Sequence, residues 1–166
     1  MRSMQLRRAR PEEYDEIGAV TVAAYAPVLA GAEESYVERL RNAQARDLEA
    51  ELWVAVGADD REVLGTVTLC RDGSPWREIA AADEGEFRML AVAPQAQGQG
   101  VGEALARHCV DRFRENGSAG VVLSSTPGMA EAHRLYARLG FVRLPERDWE
   151  PVPGVELWAF RLDFSQ

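Results

Sequence analysis

The stretch Glu86–Glu103, EFRMLAVAPQAQGQGVGE, predicts in turn a strand, a proline-interrupted loop, a glycine-spaced turn and the start of a helix. Residues 86–92 are rich enough in apolar side chains for a buried strand. Pro94 ends that strand because proline cannot donate to a sheet ladder. After Gly102, apolar residues recur with helical spacing. They are Leu105, Ala106, Cys109, Val110 and Phe113. The fold is therefore expected to be organised around this strand and this helix.

Gly98, Gly100 and Gly102 lie where the predicted loop meets the N-terminus of that helix. The first N–H groups of a helix have no partner within it, and the helix dipole places positive charge there. Glycines let an anion approach the backbone closely, so the pattern predicts a phosphate site. The alternative is a glycine-rich turn without a ligand, which would carry the entropic cost of three glycines for no gain.

Two common phosphate-binding motifs are excluded. A dinucleotide-binding GxGxxG motif needs a third glycine, but counting from Gly98 or Gly100 places Glu103 or Leu105 there. All nineteen of the Lys and Arg positions are arginine. The chain therefore has no lysine for a P-loop or for a Schiff base with pyridoxal phosphate.

The composition indicates one globular domain spanning residues 1–166. Of these residues 46% are apolar, which is enough for a packed core and too many for a disordered chain. No run of eighteen apolar residues is present, and the basic N-terminal stretch lacks the apolar segment of a secretory signal. We therefore expect a cytoplasmic protein without a membrane span.

The net charge of −8 argues against general nucleic-acid binding, which requires a basic face. An acidic protein attracts cations, so the charge mildly favours a cationic substrate. An acidic surface that only maintains solubility explains the same charge equally well. His108 and His133 lie on separate predicted helices, and no Cys and His spacing suits zinc, so no metal site is expected.

Helix-like and strand-like stretches succeed one another along the chain, which predicts an α/β sheet covered by helices. The predicted strands span 5–9, 52–56, 63–70, 86–92, 119–123, 141–144 and 155–164. The predicted helices begin near residues 11, 33, 102 and 127. The second of these helices is expected to be continuous over 33–50. Residues 124–127 contain the expected cap and first turn of the fourth helix.

Two motifs carry a resemblance to a known family. Val92–Gly102 reads V-x-P-x-x-Q-x-x-G-x-G, and Ala132–Phe141 reads A-x-x-L-Y-x-x-x-G-F. In this order, separated by one helix and one strand, they resemble the two motifs of the GNAT superfamily of N-acetyltransferases. The resemblance extends over the whole chain in element order. It implies a GNAT-like domain with a central, twisted, mixed sheet of six to seven strands flanked by about four helices. It also implies acetyl-CoA as the co-substrate and no metal.

By this resemblance, the coenzyme A site has two parts. The central strand bulges and separates from its neighbour, which leaves backbone groups of Leu90, Ala91 and Val92 free for the pantetheine arm and the acetyl oxygen. The turn and helix N-terminus then hold the pyrophosphate through backbone N–H groups. The residues of this second part are Gln97, Gly98, Gln99, Gly100, Val101, Gly102 and Glu103.

The same resemblance assigns catalytic roles to Tyr136 and Glu86. Tyr136 is the general acid at the departing sulfur, and the alternative is a core tyrosine whose hydroxyl is satisfied elsewhere. Glu86, eleven residues before Gln97, is the candidate general base. Glu84, Asp83 or an ordered water are alternative bases. An ordinary exposed carboxylate is the non-catalytic interpretation of Glu86.

Met129 departs from the family pattern, which often has asparagine seven residues before the tyrosine. A side-chain contact to the cofactor is therefore expected to be lost, or to be replaced by Ser125 or Thr126. Binding through the backbone is expected to survive, because it does not depend on side-chain identity at position 129.

The expected function is transfer of an acetyl group from acetyl-CoA to a primary amine by direct attack in a ternary complex. The alternative is a sensor or assembly module that binds acyl-CoA without catalysis, and an acyl group longer than acetyl is a further option. The acceptor is a small molecule or a peptide. It is selected by the first two helices, residues 71–85 and the loop 145–154, in which Trp149 lines a substrate cleft or fills the loop. Family members often form homodimers, but no stretch of this sequence indicates a dimer surface.

Overall fold

The computed structural model of the chain describes residues 3–165 and contains seven strands in one sheet. The strands are β1 (Met4–Arg8), β2 (Glu51–Gly57), β3 (Val63–Cys70), β4 (Glu84–Val92), β5 (Gly120–Ser125), β6 (Val142–Arg143) and β7 (Trp158–Asp163). Their order is β1-β2-β3-β4-β5-β7-β6; β4 and β5 pair in parallel and the other neighbours are antiparallel. The predicted mixed sheet is confirmed. The predicted domain also includes residues 1, 2 and 166, which lie outside the described residues.

Five α-helices accompany the sheet in the described part of the chain. They are α1 (Tyr14–Tyr25), α2 (Glu34–Arg41), α3 (Ala43–Glu49), α4 (Val101–Glu115) and α5 (Ala130–Leu139). The single helix predicted for 33–50 is wrong, because Asn42 leaves the helical conformation with a ψ of 73°. Its side chain accepts a hydrogen bond from the Ala45 N–H. Asn42 therefore caps α3 and separates it from α2.

The start of α5 also differs from the prediction. Residues 124–127 do not form its cap and first turn, because β5 continues to Ser125 and the helix begins only at Ala130. The Met129 N–H donates to the Thr126 carbonyl, so a turn lies between strand and helix. The last two strands are shorter than predicted, since β6 has two residues and β7 begins at Trp158.

The parallel strands β4 and β5 are paired over one short segment and then separate. Residues 84–86 of β4 pair with 120–122 of β5, whereas β4 continues to pair with β3 as far as Val92. Beyond Glu86, no strand formed by residues 3–165 lies beside the edge of β4 that faces β5. A free strand edge offers N–H and C=O groups to an extended ligand.

A β-bulge lies in β4 beside this gap. Thr68 pairs with Arg88 and Thr66 with Ala91, so β4 has one more residue than β3 between the two pairs. Met89, inside the bulge, has a φ of 56°, which is uncommon for a residue with a long side chain. The bulge is where the family resemblance led us to expect it, and it redirects the strand at the point where β5 has moved away.

Helix α4 lies close to the bulge because Gly65 of β3 has no side chain. A Cβ atom at Gly65 would lie 2.7 Å from Val101 Cγ1 and 2.9 Å from the Ala91 carbonyl oxygen. Both distances are shorter than a packed interior allows. The first turn of α4 and the free edge of β4 are therefore held side by side.

Candidate active site

A cleft of about 270 Å³ opens between the free edge of β4, the N-terminus of α4 and one side of α5. Nine of the ten residues predicted to bind coenzyme A line this cleft, which brings both parts of the predicted site together. They are Leu90, Ala91, Val92, Gln97, Gly98, Gly100, Val101, Gly102 and Glu103. Gln99 is the exception, and its Nε2 donates to the Gln95 carbonyl at 3.3 Å within the loop.

The glycine turn directs the N-terminus of α4 towards the cleft. Gly98 and Gly100 have φ values of 76° and 83°, in the left-handed region that glycine adopts without strain. Gly100 precedes the first turn of the helix, which contains Val101, Gly102 and Glu103. The N–H groups of that turn have no partners within the helix. They offer several donors, and the positive end of the helix dipole, to an anion in the cleft.

Arg138 of α5 brings a positive charge to the same end of the cleft. Its Nη2 lies 3.6 Å from Glu103 Oε1, and Arg107 Nε donates to Glu103 Oε2 at 3.1 Å. Reasoning from the sequence missed Arg138. The available signal is its position three residues after Leu135, on the same face of α5. Arginine is well suited to phosphate, so its place beside the glycine turn fits the anion end of the cleft.

Tyr25, at the end of α1, ties that helix to the bulge. Its hydroxyl donates a hydrogen bond to the Leu90 carbonyl oxygen at 3.0 Å. Burial raises the pKa of Tyr25, so the hydroxyl remains protonated and remains a donor. Tyr25 thus fixes the backbone of the bulge, a role that no motif of the sequence indicates.

Tyr136 lies in the core next to the cleft rather than on its wall. The residue is 4% exposed, and its ring packs on Phe87, Phe141 and Phe160 at centroid distances of 5.9–6.3 Å. Its hydroxyl has no hydrogen-bond partner among residues 3–165. Burial is the main cause that raises the pKa of Tyr136 well above its usual value. The hydroxyl is therefore protonated at neutral pH and has no competing acceptor in this part of the chain.

Glu86 is completely buried, so the interpretation of Glu86 as an ordinary exposed carboxylate is wrong. Its Oε1 accepts hydrogen bonds from the backbone N–H groups of Glu78, Ile79 and Ala80 at 2.9–3.1 Å. Its Oε2 has no hydrogen-bond partner in the described structure. Burial raises the pKa of Glu86, although the three N–H groups and Arg88 oppose that effect. One oxygen thus anchors the 78–80 segment, and the other is free.

Glu84 is fully engaged in structural contacts. Its Oε1 accepts from Arg147 Nη1 at 2.5 Å and from the Ala81 N–H at 2.8 Å, and its Oε2 accepts from Arg161 Nε at 2.7 Å. Burial favours a higher pKa, but these hydrogen bonds outweigh it and hold the pKa of Glu84 below its usual value. Glu84 joins β4 to β7 and to the turn after β6, and both its oxygens are occupied. Asp83 is exposed in the turn that precedes β4.

A second cavity, of about 400 Å³, lies on the other side of the bulge. Residues of α2, the 71–83 connection, β4 and the loop before β7 line it. They are Ser35, Tyr36, Arg39, Glu78, Arg88, Trp149, Pro151 and Val152. Trp149 therefore lines a cavity, and its Nε1 also donates to Ser124 Oγ at 3.0 Å. Glu86 lies directly behind this wall, because it binds the N–H group of Glu78. Neither Glu86 nor Tyr136 lines either cavity.

Met129 lines the first cleft, at the position where the family pattern has asparagine. Ser125 and Thr126, the expected replacements, do not line it. Ser125 Oγ lies 3.2 Å from His133 Nε2, and the buried Thr126 Oγ1 has no partner among residues 3–165. The cleft therefore has a thioether where the family pattern has a side-chain amide, and Glu131 is the polar side chain that lines the cleft close to it.

No helix within 3–165 combines the length and apolar character needed to cross a bilayer. Over the same residues, no cluster of three or more His, Cys, Asp or Glu side chains has the arrangement of a metal site.

The sequence profile described as the acetyltransferase (GNAT) family matches residues 17–141. Streptothricin acetyltransferase from Streptomyces lavendulae is 33% identical over 99 residues, which are 60% of this chain and 48% of that protein. Mycothiol acetyltransferase from Cellulomonas flavigena is 32% identical over 112 residues, which are 63% of this chain and 32% of that protein. The matched part of the chain thus spans half or less of the length of these relatives.

Solved structures show the same fold at low sequence identity. A GNAT-family acetyltransferase from Staphylococcus aureus has a TM-score of 0.74 at 14% identity, covering 97% of this chain and 99% of that one. The PaiA N-acetyltransferase from Thermoplasma acidophilum, solved in complex with coenzyme A, has a TM-score of 0.70 at 16% identity, covering 98% and 99%.

Proposed function

Because the chain belongs to the acetyltransferase (GNAT) family, we propose that it transfers an acetyl group from acetyl-CoA to a primary amine, with both substrates bound at once. The observation that carries this proposal is the first cleft. It combines a free strand edge at Leu90–Val92 with a helix N-terminus at 101–103, and it is flanked across the bulge by a second cavity.

The first cleft fits coenzyme A in both its parts. The N–H groups of the first turn of α4 bind the pyrophosphate, and Arg138 lies beside them. The edge of Leu90–Val92 binds the pantetheine amides as a neighbouring strand would. Acetyl-CoA supplies the acetyl group as a thioester, and a backbone N–H of the bulge stabilises the charge that develops on its carbonyl oxygen.

Glu86 is the proposed general base. Its free Oε2 accepts the proton that the attacking amine releases, by way of an intervening water because the carboxylate is buried behind the 78–80 segment. Burial raises the pKa of Glu86, which makes it a stronger proton acceptor than an ordinary glutamate. The three backbone N–H groups on Oε1 keep the carboxylate in place while Oε2 takes the proton.

Tyr136 is the proposed general acid. Its hydroxyl is protonated at neutral pH and unpaired in the described structure, so it is free to donate to the sulfur as the thiolate leaves. The two transfers balance, since the amine loses one proton to Glu86 and the sulfur gains one from Tyr136. Both residues adjoin β4 just before its bulge, since Glu86 belongs to that strand and the Tyr136 ring packs on Phe87.

The second candidate function is a sensor or assembly module that binds acyl-CoA without turnover. It is favoured by one observation, that neither Glu86 nor Tyr136 lines a cavity. Release of thiol from acetyl-CoA across a panel of amines separates the two functions, with coenzyme A affinity measured by calorimetry. Thiol release that depends on one class of amine supports transfer. Tight coenzyme A binding without thiol release on any amine supports the sensor. Faster thiol release from a longer acyl-CoA than from acetyl-CoA would show that the longer acyl group is the one transferred.

The homodimer and the cytoplasmic location expected from the sequence stay predictions, as does the absence of nucleic-acid and metal partners. Light scattering on the purified chain tests the dimer directly. A single species with the mass of one chain contradicts it.

A further inference from the structure

The second cavity contains a buried arginine with unused hydrogen-bonding capacity. Arg88 of β4 is only 5% exposed. Its Nη1 donates to the Trp76 carbonyl at 3.3 Å and lies 3.9 Å from Glu78 Oε1. Its other N–H groups have no hydrogen-bond partner among residues 3–165. None of these N–H groups is among the fully enclosed polar atoms without a partner, so they remain open to an anionic ligand in the cavity.

A second arginine faces the same cavity. Arg39 of α2 stacks on Trp76 at 4.6 Å and lies 3.5 Å from Glu78 Oε1. The two arginines therefore share the Glu78 carboxylate, and a second carboxylate, that of Glu86, lies behind the wall and interacts with Arg88. The chain as a whole carries −8, whereas the charges at this cavity are close to balance. The two guanidinium groups line the cavity themselves, so an anionic group of a ligand can reach them directly.

The rest of the cavity wall is apolar or aromatic. Tyr36 and Trp149 contribute rings, and the guanidinium carbon of Arg88 lies 5.6 Å from the centre of the Trp149 ring. Pro151 and Val152 complete this side. Its volume of about 400 Å³ is in the range of small-molecule sites. The cavity therefore suits a small ligand with one anionic group and an apolar body.

The distance between the two cavities suits a small acceptor. Arg88 lines the second cavity, and Leu90, two residues later on the same strand, lines the first cleft. Residues two apart on a strand are separated by about 7 Å, and the bulge at Met89 shortens this path. A small molecule held at Arg88 therefore places a nearby amine beside the bulge, where the thioester is proposed to bind.

We propose that the acceptor amine also carries a carboxylate, as an amino acid does, and that Arg88 and Arg39 bind this carboxylate in the second cavity. The inference rests on the proposed function. The planar guanidinium of Arg88 offers two parallel N–H groups that match a carboxylate. The same contact turns the amine of the acceptor towards Leu90.

Matched acceptors test this proposal on the wild-type chain. Leucine is compared with leucinamide and isoamylamine, and phenylalanine with phenylalaninamide and phenethylamine, by thiol release at saturating acetyl-CoA. The amide lowers the amine pKa relative to the acid and the decarboxylated amine raises it, so a shared preference cannot come from amine basicity. We expect the acids to have at least tenfold higher kcat/KM than both counterparts.

Variants then assign the preference to the cavity. Arg88→Gln is expected to reduce the preference for the acids at least tenfold, because the KM of the acids rises. Arg39→Gln, at a half-exposed site, is expected to reduce the same preference by about two- to fivefold. Arg114→Gln, which changes an exposed arginine at the far end of α4, serves as control and should keep the preference. Coenzyme A affinity reports folding, and if Arg88→Gln does not bind coenzyme A, the wild-type panel and Arg39→Gln decide.

Two results overturn the inference in distinguishable ways. If amides, decarboxylated amines or spermidine are acetylated at the same rate as the acids, the proposed carboxylate site is wrong, while the proposed acetyltransferase activity is supported. If no amine is acetylated although coenzyme A binds, the proposed function is wrong, and the proposed acceptor site is wrong as well.

Discussion

The two cavities on either side of the β4 bulge are built in different ways. The first cleft uses backbone groups, namely the free edge at Leu90–Val92 and the helix N-terminus at 101–103, within one continuous stretch of sequence. The second cavity uses side chains from four separate segments, and its charges are those of Arg39, Glu78 and Arg88. The first cleft therefore recognises its ligand through groups that do not depend on side-chain identity. The lining of the second cavity consists of side chains, so single substitutions change which ligand it fits.

We therefore expect a substitution in one cavity to leave ligand binding in the other cavity unchanged. A substitution of a catalytic residue that lines neither cavity should affect turnover alone. The largest effect is expected for Glu86→Gln, at a residue that lines neither cavity and lies behind the wall of the second. The glutamine carbonyl can keep the three N–H groups of residues 78–80, but the variant has no proton acceptor. We expect kcat to fall at least 100-fold, measured by thiol release.

The pH profile of Glu86→Gln separates catalysis from anchoring. The base must be ionised, so wild-type kcat/KM should rise with pH through the pKa of Glu86, which burial places above the usual glutamate value. The variant should lose this acidic limb. A variant with low activity and the same acidic limb would show that Glu86 only holds the 78–80 segment. Glu146→Gln, at an exposed position, should change neither the rate nor the profile.

Tyr136→Phe should have the next largest effect. Removal of one hydroxyl from the ring cluster keeps the packing on Phe87 and Phe160, so coenzyme A affinity should hardly change. We expect turnover to fall roughly tenfold or more, because the departing thiolate is no longer protonated. Unchanged turnover at saturating acetyl-CoA would remove the acid role and leave Tyr136 as a core residue.

Gly98→Ala is expected to act on the first cleft alone. Gly98 has a φ of 76°, and a Cβ there meets nothing within 4 Å, so the change adds backbone strain without a clash. Strain of about 1–2 kcal/mol displaces the turn, and the coenzyme A Kd should rise about tenfold, with the KM of the acceptor unchanged. Gly117→Ala is the matched control, with a φ of 82° and equally open space at the end of α4. Equal effects on Kd from both variants would contradict a role of the turn in binding.

Glu84→Gln should have the smallest effect on turnover and should act on stability. The pKa of Glu84 is lower in the folded chain than in the unfolded chain. Its stabilisation is therefore complete above the unfolded pKa and disappears as pH falls through the folded pKa. The variant should lose about 1–3 kcal/mol of unfolding free energy near neutral pH, and this loss should shrink on acidification. Urea unfolding from neutral to acidic pH measures it, and a difference independent of pH would refute the ion-pair explanation.

The difference between the cavities also explains how much the sequence could predict. β3 has the bounds predicted from the sequence, and the glycine spacing at 98–102 locates the first cleft, because both depend on neighbouring residues. Arg138 was missed because a charged residue on an exposed helix face has no local feature that distinguishes a ligand from a solvated side chain.

Two local breaks and one long-range feature were not predictable. The break at Asn42 depends on a cap within a pattern that otherwise reads as helical, and the turn before α5 resembles a cap in sequence. The second cavity brings together residues more than a hundred positions apart, from Ser35 to Val152. No spacing rule connects Arg39 with Arg88, so the charge of this cavity appears only in the folded chain.

Initial-rate kinetics test the central claim most directly. Rates of coenzyme A release are measured over a matrix of acetyl-CoA and amine concentrations, with mass spectrometry to identify the N-acetyl product. Two occupied cavities that meet at one bulge predict intersecting double-reciprocal lines, as for a ternary complex. Parallel lines would indicate an acetylated enzyme instead, and binding of coenzyme A with no acetylated amine would contradict the proposed activity.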